Sequence, residues 1–290
     1  MRKYEIVYEN INVETYLKPI TIFVIEPDEM NSETGIMLFT HGWGGNRFQH
    51  QDRMEYAVEN FNVVGLSVEY RQSGYDFNPV AGLGSYRPYD ASFLQVFDVL
   101  NGLRFFLQIR EGINRKRIFH YGASQGGHIC LLSSIFAPNT FAFVYASSPI
   151  VRLTSTYIEW AGRYFADYEI SIRDVIAHCD MIKCPVFLEH GTADQVVPYN
   201  QHTEVLVKKL KELGKKVVVK YYENGGHGLE PATTRLEAFK SMITNPAKEL
   251  KNNNEDDFKK GTTVKIPCGS KTLIIDWAKG ITDNNLFIWE

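Results

Sequence analysis

Gly122-Ala123-Ser124-Gln125-Gly126 sets a serine two residues from a glycine on either side. A serine hydroxyl is a poor nucleophile at neutral pH. It works only with a base in hydrogen-bond reach and an acid that orients the base. Both residue types stand later in the chain in turn-rich stretches. Asp194 lies in His190-Gly191-Thr192-Ala193-Asp194-Gln195-Val196-Val197-Pro198, and His227 in Glu223-Asn224-Gly225-Gly226-His227-Gly228. The chemistry such a set performs is acyl transfer: Ser124 attacks a carbonyl, His227 takes and returns the proton, and Asp194 fixes the imidazole tautomer. A Gly-x-Ser-x-Gly run arises by chance about one time in ten in a chain of this length, so its weight comes from its partners and its setting. Activity is expected to decline below pH ~6.5, where an ordinary imidazole gains its second proton.

An acyl-transfer site also needs donors for the developing oxyanion. His41-Gly42-Trp43-Gly44-Gly45 lets backbone approach a substrate closely, and the expected donors are the N–H groups of Trp43 and Gln125. Weaker candidates for substrate contact are Trp160 and the arginines Arg71 and Arg87 in a Gly/Pro-rich stretch. For the arginines a structural or surface role carries more weight. Asp180 is the nearest competitor for the acid. Ser67 lacks a second glycine and is set aside. His41 is expected to brace its loop, and the other histidines, His190 among them, to be structural or surface residues. No His, Cys, Asp or Glu cluster has metal-ligand spacing, so a site without metal or cofactor is expected.

The elements around these residues can position them. An apolar run at 118–121 precedes Ser124 and a helical apolar pattern (Ile129, Cys130, Leu131, Leu132, Ile135) follows it, the strand–turn–helix that a nucleophile elbow requires. Strands are predicted at 4–8, 20–25, 35–40, 61–68, 141–146, 186–189 and 217–222. Helices are predicted at 90–109 (capped by Asp90), 200–213 and 232–243. Alternation of this kind implies a mostly parallel sheet with helices on both faces, and the early strands add an antiparallel edge. Catalytic groups gather at the carboxyl ends of such strands, which is where Ser124, Asp194 and His227 all fall. The main domain is read as 1–247. Within it, 147–183 is either a small helical cap or an ordinary crossover with a decorated loop. Residues 248–290 are read as a solvated linker (248–262) and a strand-rich extension that adds edge strands or serves as a homo-oligomer contact.

The 290 residues carry a formal net charge of −3, with no basic footprint for nucleic acid. No apolar run approaches the ~20 residues of a membrane span, and the amino terminus has no apolar leader segment. The four cysteines are scattered, so free thiols and a cytoplasmic setting are expected, with Cys179 and Cys184 near enough in sequence to bridge.

With these stretches in hand, the chain resembles the α/β-hydrolases, and within them the catalytic domain of the prolyl oligopeptidase family and its single-domain acetyl and carboxyl esterase relatives. Residues 41–45, Tyr70-Arg71-Gln72-Ser73-Gly74-Tyr75, 122–127, 190–198 and 225–228 carry the likeness, which spans about 35–245. The resemblance implies Ser124, Asp194 and His227 as nucleophile, acid and base. Gln72 and Gln125 stand where the family's peptidases often have glycine and tyrosine, and the chain is too short for a gating β-propeller. These departures favour hydrolysis of a small carboxylic ester. A small aminopeptidase or amidase is the alternative within enzymes, and a catalytically silent binding fold the alternative outside them.

Overall fold

The runs Gly35–Thr40 and Ile118–Ala123 have no polar face to turn to water, and they form the middle of the sheet with every residue buried. The computed structural model describes residues 1–11, 19–76 and 88–290. In order its elements are β1 (Arg2–Tyr8), β2 (Ile20–Glu26), β3 (Gly35–Thr40), α1 (Gln51–Phe61), β4 (Val63–Glu69), α2 (Phe93–Ile109), β5 (Ile118–Ala123), α3 (Gln125–Phe136), β6 (Phe143–Ser147), α4 (Ser155–Ala161), α5 (Asp167–Ile172) and α6 (Val175–His178). They continue with β7 (Val186–Gly191), α7 (Thr203–Glu212), β8 (Val217–Tyr222), α8 (Arg235–Ile243), α9 (Pro246–Glu249), α10 (Asp257–Lys260), β9 (Thr263–Cys268), β10 (Lys271–Asp276) and β11 (Phe287–Trp289).

The first eight strands form one sheet in the order β1-β2-β4-β3-β5-β6-β7-β8. The pairs from β4 to β8 are parallel, and β1–β2 and β2–β4 are antiparallel. Alternate residues of each strand feed two cores. Ile36 and Leu38 join Val96, Leu100, Ile129 and Leu132 beneath α2 and α3. Met37 and Phe39 join Met54, Phe119, Phe143 and Phe239 beneath α1 and α8. The strands that lead to Ser124 and Asp194, β5 and β7, are buried throughout, while β8, which leads to His227, is the partly exposed edge of the sheet.

Two local findings differ from the sequence reading, at the start of α2 and at 248–262, and one bears on the alternatives left open for 147–183. Helix α2 begins after Ser92; Asp90 instead accepts the Gln95 N–H at 3.1 Å from farther back. Residues 147–183 form three short helices. The last, α6, packs on α3 and α7 as a crossover would, while α4 carries Trp160 to the side of Trp43. The stretch 248–262 is pinned to the body and is not a solvated linker. Asn252 donates its N–H to Lys116 O at 2.7 Å, and the buried Asp257 carboxylate accepts from Asn139 N (2.7 Å) and Nδ2 (2.8 Å).

Beyond it β9, β10 and β11 make a second, antiparallel sheet. This sheet folds against the chain's own α2 and α3. Trp277 is buried and donates Nε1–H to Phe136 O at 2.8 Å, and Phe287 stacks on Phe97 with ring centroids 4.6 Å apart. All four cysteines are free thiols. Among the described residues no helix is long and apolar enough to cross a membrane.

Candidate active site

The turn from β5 into α3 holds Ser124 at φ 58° and ψ −121°, a conformation that costs a non-glycine residue about 1–3 kcal/mol. Its neighbours must be glycine for reasons of space. A Cβ on Gly122 would stand 2.0 Å from Gly126 O, and one on Gly126 would stand 2.0 Å from Thr40 O. The Ser124 N–H donates to Ser147 O at 2.9 Å, which ties the turn to the end of β6. The strain is thus held by parallel strands on both sides, and the hydroxyl sits ahead of the amino terminus of a 12-residue helix.

The carboxyl ends of β6, β7 and β8 continue that ladder. Ser148 N–H donates to Glu189 O, Thr192 N–H to Tyr222 O, and Ala193 N–H to Gly225 O, each at 2.9 Å. These bonds bring the Asp194 and His227 loops together. His227 Nδ1 lies 2.7 Å from Asp194 Oδ2, so Nδ1–H donates to the carboxylate and Nε2 is left as the basic nitrogen. Oδ1 of Asp194 accepts the N–H groups of Val196 and Val197 at 2.8 and 2.9 Å. Burial alone would push this carboxyl's pKa up. Hydrogen bonds from His190 and His227, with the backbone N–H of Val197, overcome that and hold it well below the usual carboxylate range. Asp194 is therefore an anion wherever the protein is folded at neutral pH. The structure brings Asp194 and His227 into direct contact. The Ser124 hydroxyl, on the same rim, has no hydrogen bond to His227 or to any other described residue.

The loop after β3 lies against the elbow: a Cβ on Gly42 would come within 3.5 Å of Ser124 Cβ. Neither the Trp43 N–H nor the Gln125 N–H has an acceptor among the described residues. The Gln125 side chain is buried and fixed by Tyr89 OH at 2.9 Å and Gln95 Oε1 at 2.8 Å. Burial raises the pKa of Tyr89, which keeps its hydroxyl a donor. Trp43 stacks on the Tyr89 ring (centroids 4.3 Å apart) and meets Trp160 edge-on at 5.9 Å. The His41 ring bonds Gly42 O at 2.9 Å and stacks on Tyr70, so it braces the loop.

Of the arginines offered as substrate contacts, Arg71 is buried and clamps Asp98 through Nε (2.8 Å) and Nη2 (2.7 Å). Its guanidinium belongs to the frame. Arg87 lies outside the described residues. Three residues beside the site had no place in it in the sequence reading, which took His190 as structural or surface and was silent on the other two. His190 is fully buried and donates Nε2–H to Asp194 Oδ2 at 3.0 Å and Val197 O at 2.7 Å, while Nδ1 accepts from the Thr203 hydroxyl at 2.6 Å. Glu189 is fully buried on the opposite face of β7, and the Arg235 guanidinium donates to His227 O. The signal for two of them was present: Glu189 and His190 are a polar pair inside an otherwise apolar strand.

The eight-stranded sheet, the strained serine after its central strand β5 and the Asp194–His227 pair in the loops after β7 and β8 define an α/β-hydrolase of the serine hydrolase class. Comparison with known proteins narrows this. The profile of the prolyl oligopeptidase family matches residues 94–252, more than half of the chain, and the chain belongs to that family. Among curated proteins it is similar to acyl-protein thioesterase 1 of Aspergillus fumigatus, 22% identical over 218 residues that cover 70% of this chain and 84% of the relative. The acyl-protein thioesterase 1 of Emericella nidulans is 24% identical over 73% of this chain and 86% of that protein. Among solved structures, the acylaminoacyl peptidase of Pyrococcus horikoshii superposes with a TM-score of 0.69 at 17% identity, covering 88% of this chain. A puromycin-hydrolyzing peptidase of Mycobacterium tuberculosis superposes at 0.65 with 18% identity, covering 82% of this chain. The chain spans 42% and 38% of those two structures' own length, so the likeness is one of fold.

Proposed function

We propose that this chain hydrolyses carboxylic esters, oxygen esters or thioesters of small acyl groups, through an acyl-enzyme on Ser124. The Asp194–His227 hydrogen bond at 2.7 Å carries the reading, because with Nδ1–H given to the carboxylate Nε2 becomes the basic nitrogen of the ring. In the reaction His227 Nε2 takes the hydroxyl proton as Ser124 Oγ bonds to the carbonyl carbon. The free N–H groups of Trp43 and Gln125 receive the oxyanion. The imidazolium then protonates the departing alcohol or thiol, and water repeats the steps to release the acid. Asp194, kept anionic by its four donors, stabilises the imidazolium throughout. Trp160, edge-on to Trp43, lines the approach to the ester. The curated relatives named as thioesterases support the ester, and four free thiols suit a cytoplasmic setting.

The test is covalent labelling by a fluorophosphonate together with hydrolysis of p-nitrophenyl esters of graded chain length and of matched amides. Ser124→Ala is expected to abolish labelling and to lower ester kcat by roughly 10⁴-fold or more. The likeness of the fold to an acylaminoacyl peptidase and a puromycin-hydrolyzing peptidase makes amide cleavage the second reading. Amides cleaved as fast as esters would establish it, and labelling that survives Ser124→Ala would remove Ser124 from the site.

A further inference from the structure

Strand β7 is buried at every position, and its last two side chains before Gly191 point to opposite faces. His190 takes the side of α7, with no part of its ring exposed and both ring nitrogens engaged. Nε2 faces two atoms that can only accept, Asp194 Oδ2 at 3.0 Å and Val197 O at 2.7 Å, so it carries the proton. Nδ1 is left bare, and the buried hydroxyl of Thr203, the first residue of α7, donates to it at 2.6 Å. Thr203 thereby sets the tautomer in which His190 meets the acid.

The effect falls on the Asp194 carboxylate. Its Oδ1 accepts the N–H groups of Val196 and Val197, and its Oδ2 accepts from both His190 and His227. Four donors fill a carboxylate's acceptor sites, so it cannot turn without giving bonds up. Two of the four belong to its own loop and one to His227. His190 alone comes from a strand, and β7 is paired along both edges, to β6 and to β8. Because the same N–H also reaches Val197 O, His190 ties both ends of the 194–197 turn to the sheet. A carboxylate held by its loop alone would move with that loop; this one is fixed against β7.

We propose that His190, its tautomer set by Thr203, is a positioning residue for Asp194: it fixes the angle at which Oδ2 meets His227 Nδ1 and divides the charge of that oxygen between two imidazoles. The proposal rests on the reading of Ser124, Asp194 and His227 as the reacting triad. Two effects follow. Loss of the His190 donor lets the carboxylate swing, which slows the chemical step and leaves substrate binding as it was. It also leaves more negative charge to His227 and so favours the imidazolium, which moves the acid limb of the rate profile to higher pH. Around the three side chains stand Tyr199, its ring 6.5 Å from that of His190, Tyr221, the register partner of His190 on β8, and Arg235, a donor to His227 O. His202, Tyr157 and Arg152 lie beyond Thr203 and Asp194. His202 stays neutral, its pKa lowered to about 4 by burial, and burial likewise keeps Tyr157 a phenol.

The experiment compares wild type, His190→Gln, His190→Asn and Thr203→Val, as full chains, in p-nitrophenyl acetate hydrolysis from pH 5 to 9, with rates expressed per site titrated to completion by a fluorophosphonate. A glutamine amide nitrogen reaches as far as histidine Nε2, while that of asparagine stops at the place of Nδ1, so the two variants differ in the donor and share their polarity. His190→Asn is expected to lower kcat about 30-fold at pH 8 with KM within about twofold, and to move the acid limb up by about half a pH unit. His190→Gln should recover most of that rate, and Thr203→Val should lose about fivefold. Equal rates in His190→Gln and His190→Asn, or losses that vanish once rates are expressed per titrated site, would overturn the proposal. Nitrogen NMR of the histidines in wild type decides the matter alone should the variants fail to fold: a proton on His190 Nε2 supports the role, and a bare Nε2 removes it. Ser124→Ala, run alongside at known protein concentration, separates the two levels. If it retains hydrolysis the triad reading fails, and if it is inactive while the His190 and Thr203 variants match wild type only the positioning role fails.

Discussion

Glu189 lowers the stability of the folded protein at neutral and alkaline pH. Its pKa lies at about 7 in the fold against an ordinary 4.5, so between those values the native state keeps a proton that the unfolded chain gives up. Stability therefore falls as pH rises through that window and levels off above it. The gap corresponds to about 3 kcal/mol, an order of magnitude undiminished by solvent because the side chain is fully buried. Glu189→Gln is expected to melt several degrees above wild type at pH 8 and close to it at pH 5. Calorimetry at the two values checks this, and an equal shift at both would show that charge is not what burial opposes. The strained turn at Ser124 and the contact of Asp194 with His227 were legible because each residue stands among turn residues after a strand pattern. Glu189 and His190 left a signal, a polar pair in an apolar strand, but what they do there could not be read from it until their spatial neighbours were known. Arg71 sits in a motif stretch, but its partner Asp98 lies on another element, 27 residues on, and no local pattern announces that pair.

Among the elements, the β5–α3 turn tolerates least. Gly126→Ala would push a methyl to 2.0 Å from Thr40 O, where only backbone can yield. A loss of about 3 kcal/mol or more is expected, and with it fluorophosphonate labelling. Gly280→Ala, at a position with nothing within 4 Å, is the control and should leave the melting temperature unchanged. A tolerated Gly126→Ala would mean that the turn is looser than its geometry. This element could be read from sequence because its crowding is local and glycine is the local remedy. Residues 248–262 could not. Their composition suits solvent, but Asp256 and Asp257 turn inward. Asp256 accepts the N–H groups of Phe258 and Lys259 and pairs with Arg115, and Asp257 receives Asn139. The contacts with Arg115 and Asn139 reach across more than a hundred residues and leave no periodic trace.

At the scale of the whole molecule, the strands after residue 262 were visible as strands, while their seat was not, because the seat is an aromatic face on α2 and α3. Val264, Ile266, Leu273, Ile275, Trp277 and Leu286 are all buried. At roughly 1.5–3 kcal/mol each they contribute about 9–18 kcal/mol, comparable to a domain's entire stability. A chain ending at residue 262 is expected to be insoluble or to melt without a cooperative transition, and to lose ester hydrolysis with the fold. Soluble, cooperative, active material would show the second sheet to be a detachable addition.

The four tryptophans divide between these two regions. Trp43 and Trp160 touch each other beside the candidate oxyanion loop, while Trp277 and Trp289 lie in or beside the second sheet. Trp160 is 38% exposed and Trp277 only 1%, so an aqueous quencher such as acrylamide reaches Trp160 well before Trp277. The protein thus contains two separately addressable optical gauges, one for events at the rim of the main sheet and one for the docking of its tail.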